Sequence, residues 1–431
     1  METNSLSRRR FLCSGTIAGA SASTITILRP ELVRGAGKEE LKIGLVGCGS
    51  RGTQAVADHL TGNENTVLVA MGDVFEDKLE ASYKRLQTDP RLAALQSRIK
   101  VDPEHRFTGF DAYRKVIASG VDIVMLCTPP GYRPMHFEAA VEARKHIFTE
   151  KPVGTDPVGV RRFMAAVKRS EEWKLTVMAG AQRRSSPEFV DTVRKIQDGA
   201  IGEIVSVSAS YLATPVFEVR ERNPNWGDME WQHRQWYSFV WICGDQVVEQ
   251  HFHNLDTMNW VMGAHPIKVV ASGGAAWRPR QELYGNIYDH MSSQFVYPNG
   301  VVFSSQCRQY PRGRYERIDD LVVGTKGKSN CHDMSPAGMT NIWSGGPRAY
   351  VQEHVDMVKS IRGEGPYMNR GMAVAESTMT GIMARESAYS GEEVTWDRIM
   401  KSELDLMPKA FDYKLKMDVP PLPVPGIYKL V

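Results

Sequence analysis

The sequence predicts an α/β Rossmann domain followed by an α+β domain with an open, mostly antiparallel sheet. Three observations lead to this prediction. A short apolar run enters a glycine loop near residue 47, and apolar runs alternate with helical stretches up to about residue 185. Beyond that point, β-branched runs separated by turns predominate. Strands that alternate with helices are typical of a doubly wound parallel sheet, and 431 residues suffice for two domains.

The first domain is predicted to span residues 40–181. Its first strand is the run Leu41–Val46, which leads into the glycine loop. Further strands are predicted by apolar runs at residues 66–71, 121–127, 146–149 and 175–179. Helices are predicted by the intervening stretches at residues 54–60, 78–86, 135–144 and 161–171. This order predicts parallel strands joined by helical crossovers.

The second domain is predicted to span residues 182–406. It opens with a helix and continues with alternating or β-branched runs, at residues 189–197, 204–211, 268–273, 291–297, 301–307 and 321–324. The tripeptide Pro298-Asn299-Gly300 predicts a hairpin turn between two of these strands. Two helices are predicted near its end, at residues 350–362 and 372–389. Residues 407–431 are proline-rich, and we expect them to extend over the surface.

The first 37 residues resemble an export signal. Ser7-Arg8-Arg9-Arg10-Phe11-Leu12 matches the twin-arginine pattern, and a weakly apolar run follows at residues 13–28. That run is too short and too mild for a transmembrane helix. Twin-arginine signals direct bacterial export of folded proteins, so the expected location is the periplasm. The mature chain is expected to have no membrane span.

The charge and the cysteine content argue against nucleic-acid-binding, disulfide-rich and zinc–thiolate proteins. The chain has a net charge of +3, and residues 1–37 alone carry five arginines and two glutamates. The remainder is therefore neutral and gives no indication of a nucleic-acid partner. The six cysteines are scattered and contain no CxxC pair, which argues against a disulfide framework or a zinc–thiolate site.

The glycine loop predicts a dinucleotide site. Gly47 makes the tight turn, Gly49 lets the backbone approach the pyrophosphate, and Gly52 lets helix and strand pack closely. The amide groups of Ser50 and Arg51, at the start of the following helix, then face the phosphates.

The acid that follows the loop indicates which dinucleotide is bound. Asp73 ends the second predicted strand, 26 residues after Gly47. A carboxylate at this point accepts hydrogen bonds from the ribose hydroxyls, which favours NAD. Arg51 and Lys78 lie nearby in sequence and leave NADP open as an alternative.

Several short motifs together resemble the Gfo/Idh/MocA oxidoreductase family, which includes glucose–fructose oxidoreductase and inositol dehydrogenases. They are the glycine loop, Cys127-Thr128-Pro129-Pro130, His136 and Glu150-Lys151-Pro152. The resemblance covers nearly everything after residue 40. It implies that the cofactor is also contacted by Thr128, Pro129, His136, Glu150, Lys151 and Gln182. It also implies a homo-oligomer, either a dimer or a tetramer.

The same family carries an Asp-x-Gly-x-His-x-x-Asp segment in its second domain, and residues 249–256 match it in part. His253 falls on the catalytic histidine, whereas Glu249 replaces the first acid and His251 replaces the glycine. The resemblance implies that His253 is the base and that Lys151 holds the reacting oxygen, although either could accept the proton in the end. Glu249 would orient the histidine or bind a second hydroxyl.

The conformation of this segment decides which side chains meet. In a helix, residues 249, 253, 256 and 260 share one face; in a strand, Glu249, His251 and His253 do, and they could then bind a metal. A hydrogen-bonded polar cluster is expected rather than a metal site.

Aromatic residues crowd the stretch before this segment. They are Trp226, Trp231, His233, Trp236, Tyr237 and Trp241. Aromatic faces suit the C–H faces of sugars, although about half of these residues are expected to be core. Arg183, Trp236, Tyr237 and His253 are the predicted substrate contacts.

The predicted function is an NAD(P)-dependent oxidoreductase that acts on a sugar, polyol or glycoside hydroxyl by hydride transfer. Because the periplasm maintains no NAD pool, the cofactor is expected to be tightly bound. One alternative is a redox-assisted NAD-dependent glycosidase, which oxidises transiently, eliminates and hydrates. A third is a non-catalytic sugar-binding protein, against which the presence of both Lys151 and His253 counts.

Overall fold

A computed structural model describes residues 39–334 and 347–431. The predicted export signal at residues 1–37 therefore lies outside the described residues. Within them, the chain forms two sheets. The first has six parallel strands in the order β3-β2-β1-β4-β5-β6. The strands are β1 Leu41–Val46, β2 Thr66–Asp73, β3 Arg106–Thr108, β4 Ile123–Leu126, β5 His146–Thr149 and β6 Val177–Ala179.

Helices cover both faces of this sheet, which explains why its central strands are continuous apolar runs. All four residues of β4 are buried. The helices of this half are α1 Ser50–Gly62, α2 Glu76–Thr88, α3 Ala112–Ala118, α4 Arg133–Glu142 and α5 Pro157–Glu172. The predicted Rossmann domain is confirmed, with α3 and the short edge strand β3 missed by the sequence pattern.

The second sheet has seven strands in the order β12-β11-β7-β10-β9-β8-β13. β7 and β10 pair in parallel and the other neighbours are antiparallel, which confirms the predicted mostly antiparallel sheet. Its first five strands in chain order are β7 Ile204–Ala213, β8 Lys268–Gly274, β9 His290–Val296, β10 Val302–Gln309 and β11 Arg317–Gly324. The remaining two are β12 Lys328–Ser329 and β13 Val394–Thr395. The predicted turn at residues 298–300 joins β9 to β10.

Within the described ranges, the helices of this half lie mostly before the last strand, and one follows it. They are α6 Pro187–Gln197, α7 Asp228–Arg234, α8 Val240–Cys243, α9 Gln246–Glu249, α10 Phe252–Met262, α12 Gly371–Ser390 and α13 Trp396–Lys401. Along α12, every residue from 377 to 390 is buried. A helix that is buried all round lies between two layers. α12 packs against β8 and α10 on one side and against α5 on the other, and so joins the two halves.

The segment around residue 250 is helical, so the strand alternative is wrong. α9 ends at Glu249 and α10 begins at Phe252. His251 faces the sheet, where its Nε2 atom bonds with the Ser305 hydroxyl. His251 is therefore directed away from Glu249, and the face that could have bound a metal does not form.

The chain returns to the first domain late in the sequence. Helix α11, Pro347–Arg362, packs against α1. The Met368 carbonyl then accepts a hydrogen bond of 3.1 Å from the Val177 amide, at the edge of the first sheet. Residues from near the end of the chain thus pack against the first domain.

Residues 402–431 contain no helix or strand. They extend along the surface, as predicted, but part of this segment is packed. Leu406, Met407 and Phe411 contact a buried aromatic cluster that contains Tyr132 and Trp241.

None of the helices in the described ranges combines the length and the apolar character needed to span a bilayer. The five described cysteines are all free thiols.

Candidate active site

The glycine loop has the geometry that its sequence predicts. Gly47 has φ +97°, and a side chain there would come within 2.6 Å of the Cys127 carbonyl carbon. At Gly52 a Cβ would lie 2.0 Å from the Gly47 carbonyl oxygen, so helix and strand touch. Gly49, by contrast, faces open space, with no atom within 4 Å of its would-be Cβ. This open position, at the N-terminus of α1, fits a pyrophosphate.

Asp73 lies beside the loop at the end of β2. Its carboxylate accepts hydrogen bonds from the backbone amides of Cys48, at 2.6 Å, and Phe75, at 2.9 Å. Burial raises the pKa of Asp73, and these two amides oppose the rise. The carboxylate is thus fixed next to the glycine turn, where a ribose would bind.

Arg51 is directed into the protein. Its guanidinium pairs with Glu150, with Asp58 at 3.5 Å and with Glu353 at 3.3 Å, and it lies 4.7 Å from the centre of the Tyr350 ring. These contacts turn it away from the Asp73 side, where the 2′-phosphate of NADP would bind. The geometry therefore favours NAD.

Glu150 links the glycine loop to the loop after β5. Burial alone would raise its pKa, but Arg51, Arg133 and Lys151 hold it below its usual value. The carboxylate also needs Gly180, because a Cβ there would lie 2.4 Å from Glu150 Oε2.

The loop after β4 supplies the predicted threonine, proline and histidine. The Thr128 hydroxyl lies 3.3 Å from His136 Nδ1, and Pro129 is partly exposed. The His136 ring stacks on Tyr113 at 4.1 Å, and burial lowers its pKa to about 3. His136 is therefore a neutral, packed residue that supports the loop.

Lys151 follows β5 and its side chain is buried. Its Nζ donates to the Glu249 carbonyl oxygen at 2.7 Å and lies 3.3 Å from Glu249 Oε1. Arg133 donates to the Pro152 carbonyl and holds the same loop from the other side. The structure thus places the lysine ammonium against the predicted acid of the second domain.

A chain of polar side chains extends from Glu249. The Gln250 amide donates to the Glu249 carboxylate and accepts from the Tyr211 hydroxyl at 2.8 Å. The acid is therefore held on both sides, by Lys151 and by Gln250.

His253, on the first turn of α10, is partly exposed. Burial lowers its pKa well below 6.5, and the positive charges of Lys151 and Arg183 lower it further. The imidazole is therefore neutral at ordinary pH and able to accept a proton.

Arg183 was predicted to contact substrate, but the structure places it inside the fold. It is 2% exposed, and its Nη1 donates to Asp320 at 2.8 Å and to Thr257 at 3.1 Å. It also donates to the His253 carbonyl oxygen at 3.3 Å. A buried arginine paired in this way positions the start of α10.

The aromatic residues that precede Glu249 pack in buried clusters. Trp231 and Trp241 lie in the cluster around Tyr132, and Trp226 and Trp236 pack against it, so more of these residues are packed than the predicted half. The Tyr237 hydroxyl accepts from the Gln309 amide at 2.8 Å, and nearby Glu249 adds to the effect of burial in raising the pKa of Tyr237. Trp236 is partly exposed and lies 5.4 Å from the Tyr237 ring. Tyr237 is 3% exposed and lies in a buried cluster with Cys243 and Ile287, and Trp236 packs against that cluster.

Gln182, predicted to approach the nicotinamide, follows β6. Its Nε2 donates to the Tyr350 hydroxyl at 3.2 Å, while its buried Oε1 has no partner among the described residues. An unsatisfied buried acceptor at this place fits a carboxamide N–H of the cofactor.

The sequence pattern missed Arg133, Tyr350 and Glu353. Arg133 lies within a recognised motif region but resembles any helix-start arginine. Tyr350 and Glu353 come from α11, about 300 residues after Arg51, and only the tertiary fold brings them there. Among the described residues, the one cluster spaced to hold a metal ion is the largely exposed group Asp102, Glu104 and His105, distant in sequence from every residue of this site.

Two family models match the chain. Residues 41–179 match "Oxidoreductase family, NAD-binding Rossmann fold" and residues 189–329 match "GFO/IDH/MocA C-terminal domain". The inositol 2-dehydrogenase of Rhizobium meliloti is 25% identical over 300 residues, which is 69% of this chain and 78% of that protein. The uncharacterized oxidoreductase YrbE of Bacillus subtilis is 26% identical over 50% of this chain and 57% of its own length. The chain thus spans little more than half the length of several curated relatives it matches.

Solved structures show the same fold. Scyllo-inositol dehydrogenase from Lactobacillus casei, solved with bound NAD(H) and scyllo-inositol, has a TM-score of 0.62 at 17% identity over 83% of this chain and 99% of that one. The aldose-aldose oxidoreductase from Caulobacter crescentus, complexed with glycerol, has a TM-score of 0.63 at 16% identity over 83% and 100%. The two matched models together cover both domains and most of the chain, so this protein belongs to the GFO/IDH/MocA oxidoreductase family.

Proposed function

We propose that this protein is an NAD-dependent oxidoreductase that removes a hydride from a hydroxyl-bearing carbon of a polyol, sugar or glycoside. The observation that carries the proposal is the contact between Lys151 and Glu249 at the edge of the dinucleotide site. The positive charge of Lys151 also lowers the pKa of His253, on the helix that follows Glu249. The contact joins the cofactor domain to the second domain at the point where hydride transfer needs both. The inositol dehydrogenases among its relatives support a polyol or sugar as substrate.

The residues present fit NAD. Open space at Gly49, the fixed carboxylate of Asp73 and the unsatisfied Gln182 oxygen offer partners for the pyrophosphate, the ribose and the carboxamide. NAD, when bound, accepts the hydride from the substrate carbon.

Three side chains of the site bind the substrate hydroxyl and remove its proton. His253, neutral because its pKa is lowered, takes the hydroxyl proton at a ring nitrogen. The Lys151 ammonium donates a hydrogen bond to the same oxygen and stabilises its negative charge as the proton leaves. Glu249 holds the ammonium in place. The C–H electron pair leaves as hydride and the O–H proton goes to His253, so a carbonyl results.

The test is to incubate the purified protein with inositols and aldoses plus NAD or NADP and to follow reduced nicotinamide by absorbance. We expect reduction with NAD and a polyol or sugar, and a kcat/KM for NAD above that for NADP because Asp73 repels a 2′-phosphate. Absence of reduction in every combination, together with no aglycone release from glycosides, would refute the proposal.

A redox-assisted glycosidase is the second candidate. It is favoured by a relative described as a glycosyl hydrolase family 109 protein from Shewanella amazonensis, 23% identical over 48% of this chain and 42% of that protein. Aryl glycosides without added NAD separate the two candidates. Many turnovers of aglycone release indicate the glycosidase, whereas reduced nicotinamide that appears only with substrate indicates the dehydrogenase.

We further propose that residues 1–37 direct export by the twin-arginine route and that the cofactor is retained during turnover. The support is the sequence Ser7-Arg8-Arg9-Arg10-Phe11-Leu12, together with the absence of an NAD pool outside the cytoplasm. Fractionation of cells that express the full chain and an Arg8→Lys/Arg9→Lys/Arg10→Lys variant tests this. The unaltered chain should reach the periplasm and the variant should not; equal distribution would contradict export.

A further inference from the structure

Residues 411–417, which we name the C-terminal strap, run alongside the first domain. Their exposure alternates: Phe411, Tyr413, Leu415 and Met417 are partly buried, and the residues between them are exposed. The segment makes one turn, at which the Leu415 amide donates to the Asp412 carbonyl oxygen at 2.9 Å, and its four partly buried side chains form its packed face.

One side of the strap is anchored on the N-terminus of α7. The Leu415 carbonyl accepts from the Met229 amide at 3.2 Å, and the Tyr413 carbonyl accepts from the Glu230 amide at 3.3 Å. The first amides of a helix have no partner within the helix, so the strap satisfies them. Gly227 permits this approach, because a Cβ there would lie 2.2 Å from the Tyr413 oxygen.

The other side of the strap meets the loop after β2. The Tyr413 hydroxyl donates to the carbonyl of Val74, the residue after Asp73. The Tyr413 ring lies 6.0 Å from Phe75 and 4.9 Å from Phe110, which follows β3.

Phe411 extends the same contact across the sheet edge. Its ring lies 5.6 Å from Phe110 and 5.4 Å from Tyr132, in the loop after β4. The inward face of the strap therefore spans the loops after β2, β3 and β4.

Helix α7 contacts two of the same loops. Arg234 pairs with Asp77 at 3.1 Å and lies 3.9 Å above the centre of the Phe75 ring. His233 forms a hydrogen bond with the Tyr132 hydroxyl. Both α7 residues thus hold the loops that follow β2 and β4.

These loops border the adenosine end of the cofactor. The pyrophosphate lies over the glycine loop and the ribose over Asp73, so the adenine extends past Asp73 along the carboxyl edge of the sheet. We propose that the C-terminal strap, with His233 and Arg234, walls the adenosine end of the site and slows release of the dinucleotide. This inference rests on the proposed function, because it assumes that NAD binds.

The test measures cofactor release from the full-length protein. The protein is loaded with NADH and chased with excess NAD, and loss of bound-nicotinamide fluorescence gives the release rate. Tyr413→Phe removes one hydrogen bond and should speed release about fivefold. Phe411→Ala combined with Tyr413→Ala should speed it by more than about tenfold. Lys414→Ala, on the exposed face of the strap, is the matched control and should leave the rate unchanged.

The outcomes separate the inference from the proposed function. Release rates of both strap variants equal to that of Lys414→Ala, in a protein that reduces NAD with a polyol, would overturn the inference alone. An unaltered protein that binds no NADH would overturn the proposed function and this inference together. Thermal unfolding without cofactor should show midpoints for Tyr413→Phe and Lys414→Ala within about 4 °C of each other, because one lost hydrogen bond costs about 1 kcal/mol, so that faster release is not a folding defect.

Discussion

Lys151 is the residue on which the proposed chemistry depends most. A lysine before a proline is common in proteins, and only the neighbouring motifs indicated a chemical role for Lys151. The structure adds a partner, since both oxygens that receive its ammonium belong to Glu249, about a hundred residues later. The ammonium is thereby fixed at the boundary between cofactor domain and second domain.

Replacement of Lys151 should therefore remove most of the activity. We expect Lys151→Ala to lower kcat/KM by about 10² to 10⁴, because an oriented donor to the developing oxyanion is lost. Steady-state kinetics on the polyol that the unaltered protein uses best measures the effect. Lys84→Ala, an exposed lysine on α2, should match the unaltered protein; equal kcat/KM for both variants would refute the role of Lys151.

The lowered pKa of His253 predicts how kcat/KM depends on pH. Burial and the nearby cations lower its pKa well below 6.5, so the imidazole stays neutral until the solution is clearly acidic. Because the base must be unprotonated, kcat/KM should be flat through neutral pH and fall only below pH 6.5, the ordinary histidine value. A pH profile of kcat/KM measures this, and an acid limb centred at or above 6.5 would contradict it.

At the residue scale, the roles proposed for Asp73, Lys151, Glu249 and His253 come from sequence motifs, whereas the partners that hold these side chains appear only in the structure. Arg183 was assigned to substrate because it follows Gln182, yet its guanidinium pairs with Asp320 from β11. No local pattern reveals that pairing, because the two residues are 137 positions apart.

At the scale of elements, the glycine loop is the part most closely determined by backbone geometry. Position 47 requires glycine for two reasons: its φ is +97°, and the backbone at the end of β4 leaves no room for a side chain. The turn before β10 offers a comparison, since Gly300 has φ +82° but nothing within 4 Å of its would-be Cβ.

Substitutions at Gly47 and Gly300 distinguish the energetic cost of backbone strain from that of steric overlap. We expect Gly47→Ala to lower the free energy of unfolding by about 2–4 kcal/mol and to abolish NAD binding, because strain and overlap add. Gly300→Ala should cost only about 1 kcal/mol and leave NAD binding intact. Chemical denaturation and calorimetric titration with NAD measure both; a Gly47→Ala protein that binds NAD normally would contradict the role of the loop.

Elements with a strong hydrophobic period were predicted well, and short ones were not. The strand at residues 146–149 and the central helices followed from pattern alone, whereas α7 and α8 were missed and a helix at α9 and α10 was only one of two alternatives. These helices are short and carry polar residues that pack inside, such as Asp245 and Gln246, both fully buried. Their conformation is set by tertiary partners, which no local period reveals.

At the scale of the whole molecule, the two-domain architecture was predictable because the hydrophobic pattern changes near residue 185. Before it, apolar runs alternate with helical stretches; after it, β-branched runs separated by turns predominate. The predicted boundary at residues 181 and 182 remains a prediction. The return of α11 to pack on α1 was not predictable, because its sequence is that of an ordinary amphipathic helix. That return brings Tyr350 and Glu353 to Arg51 and makes the cofactor site a product of both ends of the chain.

The most direct test of the central claim follows a labelled hydrogen. The purified protein is incubated with NAD and a panel of inositols, aldoses and aryl glycosides that carry deuterium on their hydroxyl-bearing carbons, and the nicotinamide is analysed by mass spectrometry. Direct transfer from substrate carbon to the nicotinamide predicts deuterium in the reduced cofactor with at least one inositol or aldose, and at least about 10² times less in the same time with Lys151→Ala. Oxidation of an inositol or aldose with no deuterium in the reduced cofactor would contradict hydride transfer as the chemistry of this site.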